Sequence, residues 1–537
     1  MPTVNIPRAP SPEAAGVSSK ALSEMMQDIL ENKLDLHSVM VVRRGQVAWE
    51  NFRAPYSENY PHAMYSVSKS ITSIAIGYAV EEALLSVEDK VADLIPELRE
   101  YDKHENLEKL QVAHLLSMCA GKSVSVLADK AKRQWVRDFA KAKWDYAPGE
   151  GWHYCNENIY MLCAILRRVT GEGVVDYLMP RLFEPLDIER PFWETDGAGV
   201  EAGGWGLFLR TEDMAKIALC YLDEGKFQGR QVIPAGWVRA SSSPQRDNSP
   251  EARSVASDGG EGECGYGYCF WMNSIPGSFR MDGMFSQFAL IFPQYDACVV
   301  TTGGELDAGA VTRVIFEHIP ALFEKGNEAP VTDIPSGNIP VLPAYDPLPA
   351  SERNPDLEEK LQSRCIHFVP TAQPIGRAIG MPLSMMPMMI FFMSADKAGG
   401  VDRAHLRFAR EGLKFSWSEG RERNTVLCGM DGRWRKCKIT LGGVDFLLAC
   451  SAMWEGDALH VRLRNLNSVA ERLLTFRFKG RTVRMLPRSA PALESMTGSA
   501  AQAVRDNIPN EALGNLLAGM MGRITGLAEP EHIGYMR

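Results

Sequence analysis

Tyr65-Ser66-Val67-Ser68-Lys69-Ser70-Ile71, followed by an apolar run to Leu85, is the stretch that decides how this chain is read. The spacing predicts a helix with Ser66 and Lys69 three residues apart, on one face and one turn from each other. A hydroxyl beside an amine that packing can keep dry makes an activated nucleophile. The S-x-x-K pattern recurs at Ser394-Ala395-Asp396-Lys397. That copy has no Y-x-N downstream of it, and reads as accidental.

Working outward, 537 residues are too many for one ordinary core and predict two or more domains. Hydrophobic residues at 45% and charged residues at 23% are ordinary for a soluble globular chain. The net charge of -9, with no long basic run, argues against nucleic acid or an anionic membrane as the main partner. Met1-Pro2-Thr3-Val4-Asn5-Ile6-Pro7-Arg8 holds no apolar segment of a secretion signal, and no run of 18 apolar residues occurs. The eleven cysteines form no C-x-x-C pairs and read as reduced thiols. Together these features place the protein in the cytoplasm.

The pattern from the N-terminus is a helix over 19–31, behind Ser18-Ser19, and then a hairpin of 38–43 and 46–51 around Arg44-Gly45. A long, mostly helical insertion follows. It includes a short helix from Val112 to Met118, a turn at Ala147-Pro148-Gly149-Glu150-Gly151, a helix from about Asn158 to Arg168, and a tight loop at Gly203-Gly204-Trp205-Gly206. Thr211-Glu212-Asp213 opens another helix. Strands are expected at 266–272, 277–283, 286–292 and 297–303, closed by a helix at about 309–324. Strands at both ends around a helical insertion give an α+β fold with one antiparallel sheet. We expect this domain at 1–328. A Pro-rich linker follows at 329–358, with seven prolines between 330 and 355. Short alternating strands over 359–490, including one at 473–485, predict a small antiparallel sheet or partial barrel. A helical tail is expected at 491–537, centred on Glu511–Ile524.

Three pieces have to converge on Ser66 if it is a nucleophile. Lys69 must be partly neutral to take the Ser66 proton. Tyr154-Cys155-Asn156, the one Y-x-N of the chain, offers a phenol to shuttle that proton and an amide to orient Lys69 and the substrate. A strand edge at Met281-Asp282-Gly283-Met284 offers the Met284 N–H opposite the N–H of Ser66 as an oxyanion hole, with Gly283 permitting close approach of substrate. His153 reads as a neighbour rather than a catalytic group.

On these residues the region of about 10–325 resembles the serine β-lactamase and penicillin-binding-protein superfamily. Within it the chain is most similar to class C β-lactamase-related esterases and amidases, including the 6-aminohexanoate-dimer hydrolase type. The resemblance rests on Met64 through Ser70, Val112 through Gly121, Pro148-Gly149 through Tyr160, Gly203 through Leu207, and Gly283-Met284-Phe285-Ser286-Gln287 followed by Phe292-Pro293. It implies a β-lactamase-like sheet flanked by helices with a helical subdomain. It also implies acyl transfer, with Ser66 attacking an ester or amide carbonyl, Lys69 and Tyr154 moving protons, Asn156 and Gly283 positioning substrate, and the N–H groups of Ser66 and Met284 holding the oxyanion.

Two departures narrow this expectation. Penicillin-recognising members carry K-T-G or H-T-G where this chain has Met281-Asp282-Gly283. The cation that pairs with a β-lactam carboxylate is missing, a loss of roughly 1.5–3 kcal/mol for a charge-assisted contact. Arg280 is close, but strand alternation points it to the face opposite Met281. The usual glycine before Gln287 is Ser286. An esterase or amidase is therefore expected rather than a β-lactamase. A transacylase shares the first half-reaction, and a non-catalytic scaffold on a hydrolase fold is the reading from another class. No G-x-S-x-G, H-E-x-x-H or G-x-x-x-x-G-K-[ST] occurs, so no nucleophile elbow, metal or cofactor is expected. Within Met381–Met393 the methionines suit core packing, a lid or an oligomer contact. No motif sets the substrate or the oligomeric state.

Overall fold

A computed structural model describes residues 5–122, 135–248, 261–323, 338–369, 401–419, 422–441, 444–491 and 531–537. The chain divides into two compact units at Pro343/Ala344.

The first unit is built on a six-stranded antiparallel sheet. The hairpin of Leu36–Arg43 and Gln46–Phe52 forms one side. Ala297–Gly303, Gln287–Phe292, Phe279–Gly283 and Trp271–Met272 follow in that order from Leu36–Arg43 outward. The N-terminal and C-terminal parts of the unit meet where Met40 pairs with Val300 and Val41 with Val299. Val39 to Val42 and Val299-Val300 are β-branched or apolar on both faces, as a sheet covered on both sides requires. All residues of Leu36–Arg43 are buried.

One face is covered by Ser19–Glu31 and Ala308–Leu322. Leu22, Met25, Met26 and Ile29 pack there with Val311, Ile315 and Ile319 against Val39, Leu290 and Val299. The Ser18 hydroxyl accepts the Ala21 N–H at 3.2 Å and starts the first of these helices. The other face carries Thr211–Leu222 and the helix Val67–Glu81.

Val67–Glu81 is the central element of the insertion, and every residue from Val67 to Ala79 is buried. Its buried hydroxyls are all directed at backbone. Ser70 Oγ donates to the Cys269 carbonyl at 2.6 Å, Ser73 Oγ to Tyr268 at 2.7 Å, and Thr72 Oγ1 to Gly203 at 3.2 Å. Ser68 Oγ accepts the Leu207 N–H at 3.3 Å. A buried hydroxyl without a partner is costly, so each of these bonds ties a distant loop to the helix. The helix also meets Trp237 directly, and a Cβ on Gly77 would stand 2.3 Å from the indole.

Two buried imidazoles brace the chain just before Ser66. His37 Nδ1 and His62 Nε2 are 3.0 Å apart, His62 Nδ1 bonds the Ala63 carbonyl at 3.0 Å, and His37 stacks on Tyr56 at 3.9 Å. Burial pushes His62 down to about 4.

The second unit is a ten-stranded sheet with all neighbours antiparallel. Its order begins at Glu422–Cys428 and ends at Arg435–Leu441, two strands consecutive in sequence that lie at opposite edges. The sheet curls until these edges meet, and side chains close the seam. The Asn424 amide donates to the Thr440 carbonyl at 3.0 Å and accepts its N–H at 3.1 Å, as a backbone peptide would. Alternation of buried and exposed residues puts Phe415, Trp417, Val426, Leu448, Val461 and Phe476 inside, the pattern of a small barrel.

Four sequence expectations change. The domain boundary moves from 328 to 343, because Ile339 and Leu342 are buried in the core of the first unit. In the second unit, Leu348 is buried and the helix Pro355–Gln362 begins inside the end of the segment expected as linker. The single strand at 473–485 is a hairpin, Glu471–Lys479 and Thr482–Ala490, turned by Gly480 at φ +62 and Arg481. The helical tail is corrected at its end: His532–Met536 is a strand between Ile366–Phe368 and Thr482–Ala490. The segment Glu511–Ile524, the methionine stretch 381–393 and the second S-x-x-K at 394–397 lie outside the described residues. Among the described residues no helix is long and apolar enough to cross a membrane, and no three-residue His/Cys/Asp/Glu group could hold a metal ion.

Two predictions follow from the packing of the first unit. Gly77→Ala forces the Trp237 contact apart and destabilises by about 1–3 kcal/mol despite alanine's better helix propensity, read from the denaturant midpoint. His62, neutral in the fold at about 4 and near 6.5 when unfolded, contributes stability that is full above 6.5 and lost as pH falls towards 4. The loss is on the order of 3 kcal/mol. Acid unfolding of a His62→Gln variant should therefore show a flatter limb between these pH values than wild type.

Candidate active site

Ser66 stands at the N-terminal end of Val67–Glu81 in helical conformation (φ -74, ψ -8), and its hydroxyl makes no capping bond. The hydroxyl is instead 2.9 Å from Lys69 Nζ. Tyr65, immediately before it, is left-handed at φ +46, an unfavourable state for a bulky residue. Its ring is held at 5.1 Å, edge-on to Phe285, which is itself left-handed at φ +65.

Lys69 is 1% exposed. Besides Ser66 Oγ it contacts two oxygens that can only accept, Asn156 Oδ1 at 2.7 Å and the Gly204 carbonyl at 2.7 Å. A neutral amine has two N–H bonds and one lone pair. Asn156 and Gly204 take both N–H bonds, and the lone pair is left facing the Ser66 hydroxyl. Burial pushes Lys69 down to about 7, against the smaller opposing fields of Cys269, Cys155, Glu157 and Asp282.

Tyr154 completes the group. Its ring centroid is 4.7 Å from Lys69 Nζ, and Ser66 acts on its hydroxyl to favour the ionised form against the larger effect of burial. Burial drives the phenol well above its ordinary range, so it stays protonated at neutral pH. The segment Val112–Gly121 explains the placement of this loop: the Met118 carbonyl accepts the His153 N–H at 2.9 Å, and the Cys119 carbonyl accepts Gly149 N–H at 2.9 Å. His153 itself is exposed. Trp152, Tyr266 and Trp271 form an aromatic wall around Tyr154, with Trp271 5.4 Å from it.

Gly283 ends its strand against the backbone of the nucleophile. A Cβ there would stand 2.4 Å from the Met64 carbonyl and 3.3 Å from the Ser66 nitrogen, so no other residue fits. The turn beyond it, Met284 to Ser286, is fixed by Gln287, whose Nε2 donates to the carbonyls of Met284 (3.2 Å), Phe285 (2.9 Å) and Gly303 (2.9 Å). Ser286 takes φ +66, the conformation for which glycine is the usual residue.

Met281 is fully buried beneath the strand, and Arg280 and Asp282 share the opposite face. Arg280 Nε donates to Asp282 Oδ2 at 2.8 Å, while Nη1 donates to Asn273 Oδ1 at 2.8 Å and to the Met272 carbonyl at 3.2 Å. The field of Asp282 reaches both Lys69 and Tyr154, so the strand presents a carboxylate to the site and a guanidinium bound to it.

Ser66, Lys69, Tyr154, Asn156 and Gly283 are thus together, with Met284 in the adjoining turn. The sequence reading missed the Gly204 carbonyl, the hydrogen bonds of Gln287 and the Arg280–Asp282 pair. Gly204 was detectable as part of a glycine-rich loop, since a Cβ on it would meet Asn156 Oδ1 at 3.0 Å. Its role lies in the backbone, which side-chain patterns do not show.

The chain is 27% identical over 262 residues to the 6-aminohexanoate-dimer hydrolase of Paenarthrobacter ureafaciens, spanning 45% of this chain but only 66% of that relative. It is 26% identical over 146 residues to a beta-lactamase of Yersinia enterocolitica, 26% of this chain and 35% of the other. A solved penicillin-binding-protein homologue from Caulobacter crescentus aligns at 15% identity and TM-score 0.45, over 56% of this chain and 97% of its own. The Beta-lactamase family model matches residues 26–303, more than half of the sequence. The chain belongs to the beta-lactamase family.

Proposed function

We propose that this protein is a cytoplasmic serine hydrolase that cleaves a small ester or amide through an acyl-enzyme on Ser66. The observation that carries the proposal is the set of contacts at Lys69, a buried amine whose two acceptor-only partners leave its lone pair for the Ser66 hydroxyl. The neutral amine takes the Ser66 proton as Oγ attacks the carbonyl carbon. The N–H groups of Ser66 and Met284 hold the developing oxyanion, helped by the positive end of Val67–Glu81. The Tyr154 phenol passes a proton to the leaving oxygen or nitrogen, and water then resolves the ester on Ser66.

The Arg280–Asp282 pair supports an ester or amide without a carboxylate next to the scissile bond. Such an anion would face Asp282, and the guanidinium that could attract it is already engaged. The eleven free cysteines support a reducing compartment.

A fluorophosphonate should label the wild type and fail to label Ser66→Ala; labelling that persists in the variant would overturn the assignment. In a panel of esters, amides and one chromogenic β-lactam, the β-lactam should be the poorest substrate by kcat/KM. Preferential β-lactam turnover would contradict the role given to Asp282. The pH profile of kcat/KM should fall about tenfold per unit below about 7, as Lys69 gains its proton. Asn156→Asp places an anion 2.7 Å from Lys69 and favours the ammonium form. Its acid limb should move up by at least about one unit, and a limb that stays at 7 would separate Lys69 from general-base work.

A further inference from the structure

Among the described residues outside the Ser66 site, a cluster of nucleophilic groups lies in the second unit. Cys428, Cys437 and Cys450 converge where the barrel edges meet. Cys437 pairs with Leu448 across the ladder, so Cys450, two residues further on, lies diagonally beside it on the same face. Gly429 bridges Ser451, which brings Cys428 to the same place. The Cys450 thiol lies near enough to both other sulfurs to interact with them electrostatically.

Cys437 has a second function in this seam. Its Sγ accepts the Leu427 N–H at 3.2 Å and reaches the Leu427 carbonyl at 3.5 Å, so one sulfur replaces the backbone ladder between the two edge strands. Asn424 does the same with an amide on the other side. Cys437 is half-buried, whereas Cys428 and Cys450 are buried. The neighbouring Cys450 thiol and the Leu427 N–H stabilise a thiolate at Cys437 and bring it down to about 6, while burial holds Cys450 well above its ordinary range as a thiol. Cys365, of similar exposure, is pushed up by burial instead.

We propose that Cys437 and Cys450 form an oxidisable thiol pair, with Cys437 oxidised first by a hydroperoxide and Cys450 resolving it, and that oxidation opens the barrel seam. The Cys437 thiolate attacks the distal peroxide oxygen, the O–O bond breaks, and the alkoxide or hydroxide released takes up a proton. The Cys450 sulfur then displaces hydroxide from the sulfenic acid, and its proton leaves with that hydroxide as water. One disulfide forms and one hydroperoxide is reduced. The strand Arg435–Leu441 is laddered on one side only, so the approach of the two sulfurs moves an edge strand and not the body of the sheet. The sulfur then leaves Leu427.

The test uses the full chain. At pH 7, iodoacetamide should modify Cys437 about tenfold faster than Cys365, as the higher thiolate fraction outweighs the lower intrinsic nucleophilicity. After stoichiometric hydrogen peroxide and quenching, peptide mass mapping should find Cys437 joined to Cys450, reversible by dithiothreitol. Cys450→Ser should trap Cys437 as a dimedone adduct. Exchange of the Leu427 amide should accelerate on oxidation. Equal alkylation of Cys437 and Cys365 in the wild type overturns the reactive site without reliance on any variant. A disulfide with unchanged Leu427 exchange overturns the opening of the seam.

Discussion

Placing the amine of Lys69 in a dry pocket beside neutral oxygens is the constraint on which the first unit depends. No carboxylate touches it, so the fold must supply acceptors of fixed position and no net charge. Asn156 Oδ1 comes from the start of one helix and the Gly204 carbonyl from a loop roughly fifty residues further on. The hydroxyls of Val67–Glu81 anchor Gly203 and Leu207, on either side of the Gly204 carbonyl, and also Tyr268 and Cys269. The helix therefore positions the loops that set the electrostatics of its own first turn. A helix with so many serines and threonines is a poor helix former in isolation, and tertiary bonding overrides that weakness.

Much of the site was legible because its chemistry is carried by side chains at short spacings. Ser66 and Lys69 are one turn apart, Tyr154 and Asn156 flank one residue, and Gly283 marks a close approach. What stayed hidden lies in backbone or in long-range pairing. The Gly204 carbonyl has no residue signature. Gln287 stands in a motif of the sequence, but only the fold shows its amide holding two carbonyls of the Met284–Ser286 turn and that of Gly303. In the second unit the alternation of buried residues exposed the sheet, but not its closure. The turn at Gly480-Arg481 interrupts a run whose flanking residues alternate equally well on either side. The strand His532–Met536 is five residues long and is defined only by partners over forty and over one hundred and sixty positions away.

Charge at the strand beside Ser66 is arranged around a buried arginine. The family's basic residue is replaced by a methionine that is fully buried, and the nearby arginine is not a substitute. Arg280 is about as buried as a core residue, and a buried guanidinium needs compensation for its lost hydration. Asp282, Asn273 and the Met272 carbonyl provide that compensation. The cation is thus structural, while its partner carboxylate projects its field towards Lys69 and Tyr154.

The position of His532–Met536 inside the barrel bears on the order in which the chain acquires structure during synthesis. The first unit has all of its sheet strands and both covering helices once residue 322 has left the ribosome, and domains generally fold as units from the N-terminal side. The second unit has a gap between Ile366–Phe368 and Thr482–Ala490 until residue 536 emerges. Two strands then expose unpaired N–H and C=O groups, a template for pairing with another chain. The nascent protein then carries a finished first unit joined to an open sheet, and the arrival of His532–Met536 removes the risk.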